Sequence, residues 1–151
     1  MPPDNRRAET TDSLPPEAFL DAYADPIRAA AEVLRRLVRN AVPDAVERVR
    51  PGWRLIGYDI PVGGRLRYFA FVAPEPIHVH LGFEYGAWMP DPGRHLEGAH
   101  LNLKKVRFLT FQPGEAIPEA MCLELTRQAA EVAALPLGAR MSLASKEADS
   151  G

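Results

Sequence analysis

An α+β domain is predicted by three observations: helical apolar spacing near both ends of the chain, strand-like alternation between them, and inter-strand links too short for crossovers. The predicted sheet is antiparallel, with about four to six strands and the N-terminal and C-terminal helices packed on one face.

The elements follow in chain order. Pro15 and Pro16 suit the start of a short helical segment carrying Phe19, Leu20 and Tyr23. Asp25 reads as an N-cap with Pro26 in the first turn, where a missing N–H costs nothing. Ile27, Ala30, Leu34, Leu37, Val38 and Ala41 then recur at helical spacing. Arg28, Glu32, Arg35, Arg36 and Arg39 occupy the opposite face and read as solvated, and Pro43 with Asp44 ends the helix. Strands are predicted from Val49 to Ile60 and from Leu66 to Val72, joined at Val62-Gly63-Gly64-Arg65, where a Gly-Gly pair tolerates the positive φ of a tight hairpin. Further strands run from Ile77 to Tyr85 and from Lys105 to Phe111. A last amphipathic helix opens at Pro118 with the stripe Met121, Cys122, Leu125, Ala129 and Val132. Residues 1–14 and 136–151 read as loosely held tails around one domain at 15–135.

Composition narrows the function classes. With 151 residues, 46% apolar and 25% charged, the chain has the make-up of an ordinary globular protein. A net charge of −2 predicts no general attraction to nucleic acid or to an anionic membrane, and no apolar run is long enough to span a bilayer. The polar start and the lone Cys122 make a cytoplasmic location the expectation. There is no glycine-rich phosphate loop and no His-Glu-x-x-His. The serines, Ser13, Ser142, Ser145 and Ser150, all lie in the tails, and Cys122 sits on an apolar stripe as a small core residue.

Chemistry concentrates between positions 78 and 100, which hold all four histidines. In Ile77-His78-Val79-His80-Leu81 a strand sends His78 and His80 to one face with Glu84 further along, while Val79, Leu81 and Phe83 face the other way. Two imidazoles and a carboxylate suit a divalent metal, iron or zinc, with His78, His80 and Glu84 as ligands; solvated structural histidines are the plainer alternative. The connection from Gly86 to Lys104 mixes aromatic, cationic and imidazole groups in the manner of a lid or pocket wall. Trp53, Tyr68, His80, Trp88, Glu97, His100, Lys104 and Arg107 are the candidate ligand-binding residues. From Arg48 to Phe111 the charge is +4 against −6 elsewhere, a field suited to a carboxylate or phosphate, or simply to a solvated sheet face. Large apolar residues occur in both alternation classes of Arg67–Val72, so the face away from the helices needs a cover, supplied by the long connection or by a second subunit in a homodimer.

Arg35-Arg36-Leu37-Val38 through Pro43-Asp44-Ala45-Val46-Glu47, Val79-His80-Leu81-Gly82-Phe83 with Gly86-Ala87, Leu96-Glu97-Gly98, and Lys104-Lys105-Val106-Arg107-Phe108 follow one another in this order. Together they resemble the YdhG-like family, also called domain of unknown function 1801. The resemblance covers most of residues 17–134 and implies a frataxin-like α+β fold, with iron-chaperone activity described for some relatives. Two departures stand out. Ala99-His100-Leu101 replaces the family's glycine-lysine pair, and the acidic series Glu17, Asp21, Asp25 is interrupted by Pro26 before an arginine-rich helix. Three readings follow: a non-catalytic module binding a small molecule or metal ion, an enzyme acting on a small anionic substrate through the 86–104 loop, or an interaction domain without a ligand.

Overall fold

Residues 14–150 are described by the computed structural model. In chain order the elements are α1 (Pro16–Leu20), α2 (Asp25–Ala41), β1 (Val46–Arg50), β2 (Leu55–Val62), β3 (Arg65–Pro74), β4 (Val79–Phe83), β5 (Arg107–Phe111), α3 (Glu119–Ala134) and α4 (Leu137–Ser150). The five strands form one antiparallel sheet in the order β1-β2-β3-β4-β5, each beside its neighbour in sequence. The fold is α+β.

Local chemistry accounts for the boundaries. The N-cap of α2 is Ala24 rather than Asp25, whose carboxylate lies in the first turn and pairs with Arg28. The stretch from Val49 to Ile60 is two strands, because Pro51 opens a short 3₁₀ turn and Arg54 takes a left-handed φ of 56° to reverse the chain. At the β2–β3 hairpin Gly63 and Gly64 have φ of 58° and 81°, as a tight turn with both central residues left-handed requires.

A bulge follows. Tyr58 pairs with Ala70 but Asp59 with Tyr68, so Phe69 is an extra residue, and Phe69 and Ala70 are both fully buried. That extra residue explains why both alternation classes of β3 are apolar.

Helices α2 and α3 touch each other and both rest on β3. They bury Ile27, Leu34, Leu37, Val38, Leu125 and Val132 with Val49, Ile56, Val72, Val79, Leu81 and Phe83 of the sheet. Arg35 departs from the solvated helix face expected for it, being 5% exposed.

The stretch beyond Pro136, expected as a loose tail, contains α4. Arg140 fixes its start: the side chain donates to the carbonyls of Ala133 and Leu135 at 3.3 and 3.0 Å, and its guanidinium lies 5.1 Å from the Tyr85 ring. The expectation for residues 1–13 lies outside the described residues. No helix among the described residues is long and apolar enough to cross a membrane.

Candidate functional site

The connection between β4 and β5 is held down along its length. Ala87 donates its backbone N–H to Lys105, and Met89 is buried in the core. The Asp91 N–H donates to Gln128 Oε1 of α3 at 3.1 Å. The Asp91 carboxylate accepts the N–H groups of His95 and Leu96, both at 2.9 Å, closing a small loop over itself. Glu97 then pairs with Phe108 as an isolated bridge on the outer edge of β5. These fastenings hold Asp91 and Arg94 at φ of 37° and 52°, values costly for residues with side chains. The connection is thus a fixed wall, meeting the core and α3 through Met89 and Asp91 and edging β5 at Glu97 and Gly98, while the sheet face bearing Tyr68 and Phe71 stays partly open.

Under this wall lies a cleft of about 440 Å³. Met89, Pro90, Pro92, Leu96 and Ala99 supply its apolar lining, and Asp91, Arg94 and Arg107 its charges. The Asp91 carboxylate is already engaged by two backbone donors. Arg107 spends Nη1 on the carbonyls of Leu103 and Val106, at 2.9 and 2.7 Å, which holds the guanidinium in place. Two cations in a mainly polar cleft with a few apolar side chains, their only carboxylate occupied, suit a small organic anion.

The eight candidate ligand-binding residues do not converge there. Arg107 lines the cleft. Trp88 stacks on Tyr85 with ring centroids 5.5 Å apart. His100 and Lys104 are exposed. Trp53 and Tyr68 lie on the open sheet face, 5.8 Å apart, with the Arg50 guanidinium 5.6 and 5.2 Å from their rings. Arg50 also donates to the buried Asp59 carboxylate at 3.1 and 3.3 Å. Burial, then the Glu84 carboxylate, raises the Tyr68 phenol above its usual pKa. His80 and Glu97 meet at the other end of that face: His80 Nδ1 lies 3.1 Å from Thr110 Oγ1, and Glu97 accepts the Thr110 N–H at 3.0 Å and its hydroxyl at 3.2 Å. A strand pattern reveals which residues share a face but not how far apart the strands carry them.

The proposed metal ligands separate in the same way. His78 and His80 stand with ring centroids 4.6 Å apart, but Glu84 is taken by Lys105 at 3.1 Å. Among the described residues no three His, Cys, Asp or Glu side chains are grouped as a metal would require. The acidic series near α1 does not fit iron either, because arginines occupy it: Glu17 and Glu32 pair with Arg35 at 3.3 and 2.6 Å, and Asp21 and Asp25 with Arg28. Cys122 is buried, and burial, then Glu119, pushes its thiol up to about 11, the opposite of a nucleophile's setting.

One cluster escaped sequence reasoning. Arg35, Glu47 and Tyr58 form a buried network in which Tyr58 donates to Glu47 at 2.6 Å. Burial would raise the Glu47 carboxyl, but hydrogen bonds from Arg35 and Tyr58 hold it below its usual value. The β1–β2 register pairs Glu47 with Tyr58 and Arg35 reaches them from α2, so no local signal marks the three.

No family model, no curated protein and no solved structure matches this chain.

Proposed function

We propose that the protein is a non-catalytic binding module for a small organic anion, held in the cleft beneath the 86–104 wall. The observation that carries the reading is that Arg94 and Arg107 line one cleft whose only carboxylate, Asp91, is already engaged by backbone N–H groups. A guanidinium can grip a carboxylate or phosphate with two parallel donors, and Met89, Pro90, Pro92 and Leu96 would pack on the body of the ligand. Placement in the YdhG-like family is likewise a proposal, supported by the motif order and by the helix–sheet–helix sequence of elements.

The test is titration calorimetry with benzoate, inorganic phosphate and phenyl phosphate as probes. The reading requires saturable binding of at least one of them, weakened about tenfold or more by Arg107→Ala, the order expected for losing one charge-assisted pair. Absence of heat with all three probes, or binding unchanged in both Arg94→Ala and Arg107→Ala, overturns it.

A further inference from the structure

The sheet face away from the helices carries a row of residues that is complementary to itself. The ladder pairs run Arg48 to Gly57, Gly57 to Phe71, Phe71 to Gly82, Gly82 to Phe108, and Phe108 to Glu97. Directly paired residues point to the same face, so these six form one line across the sheet. An arginine stands at one end, a glutamate at the other, and phenylalanine alternates with glycine between them. The glycines let the rings lie low: a Cβ at residue 82 would stand 1.9 Å from Phe71 Cζ. Trp53 and Leu66, 62% and 53% exposed, flank the row. The 86–104 wall, fastened through Met89 and Gln128, meets this face at Glu97 and Gly98 beside Phe108, and Phe71 stays partly exposed.

We propose that the face is covered by a second copy of this chain. A two-fold axis between two facing sheets, parallel to the strands and passing between Phe71 and Gly82, reverses the row. It lays Arg48 over Glu97 of the partner subunit and Phe108 over Gly57 of the partner subunit, and the same contacts recur on the other side of the axis, as an isologous interface demands. Opposite charge meets at both ends, and the Phe71 and Phe108 rings supply apolar contact between them. Facing sheets with nearly aligned strands are an established packing mode. The alternative axis, across the strands, would set Arg48 against Arg48 and Glu97 against Glu97, so the charges select one arrangement.

Sedimentation equilibrium of the full chain tests the proposal. The wild-type protein is expected to be dimeric at high micromolar concentration. Arg48→Glu and Glu97→Lys should each dissociate about tenfold or more easily, because each places like charges at both ends of the row. An equimolar mixture of the two variants should recover the dimer, since every facing pair is then opposite in sign. Trp53→Glu, at an exposed position beside the row, should also weaken association and covers the case of a row variant that fails to fold. A monomeric wild-type protein, variants that associate normally, or a mixture that stays monomeric would each overturn the proposal.

Discussion

Arg35 of α2 and Glu47 of β1 are joined by a two-pronged ion pair, with Arg35 Nε donating to Glu47 Oε2 at 2.9 Å and Nη2 to Oε1 at 2.8 Å. The pair ties the main helix to an edge strand. The two side chains are 6% and 14% exposed, so neither charge can fall back on bulk water.

Removing one partner should therefore cost more than the pair contributes. Arg35→Met leaves Glu47 buried without its cation and is expected to lower stability by about 3–5 kcal/mol. Adding Glu47→Gln to it should recover part of the loss, because glutamine is neutral and still accepts the Tyr58 hydroxyl. Urea unfolding of the single and double variants measures both. A double variant no more stable than Arg35→Met would show that the buried charge is not the source of the cost.

Gly82→Ala should destabilise by about 1–3 kcal/mol, because its methyl would enter the Phe71 ring. In a Phe71→Ala background the same change should be nearly neutral. A double-mutant cycle showing equal cost in both backgrounds would place the effect in the backbone instead.

His80 supplies a pH dependence. Burial, and then the neighbouring His78, hold its pKa below the usual 6.5. The unfolded chain thus takes up this proton at a higher pH than the folded protein. The contribution to stability is complete above the unfolded value and is lost as pH falls through the folded one. Melting temperatures measured from pH 8 down to pH 5 should decline more steeply for the wild type than for His80→Gln; parallel curves would contradict this assignment.

Asp91 is expected to keep the wall in place. Asp91→Ala removes the acceptor of the His95 and Leu96 N–H groups and should cost about 1–2 kcal/mol. Amide exchange at residues 95 and 96 should accelerate while β4 and β5 stay protected. Asp91→Asn, which keeps an acceptor and tolerates positive φ, should lie between. Unchanged exchange in Asp91→Ala would mean that the loop is held by its other fastenings alone.

Much of the fold could be read from spacing, since periodicity reports which side of an element is buried. The alternation of Val79, Leu81 and Phe83 predicts a strand with those residues inward, and all three are fully buried. The Gly63-Gly64 turn was equally legible, because few other residues take two successive positive φ values cheaply. Arg35 was not legible: its helical position places it beside other arginines, and only the arrival of Glu47 from a different element makes its burial affordable. The break at Pro51 was hidden because the residues on both sides are good strand formers.

The candidate residues fared differently for the same reason. Trp53 with Tyr68, and His80 with Glu97, are neighbours, yet they occupy opposite ends of one sheet face, while Arg107 belongs to a cleft on the helix side. By itself the sequence determined the α+β class, the strands' inward residues and the hairpin glycines, because these depend on contacts within one element or across one turn. The tertiary structure alone decided which charges are buried together, where the long connection lies, and that Arg48 and Glu97 end a single row. Those relations arise from strand order and register, which bring residues far apart in the chain to within a few ångströms.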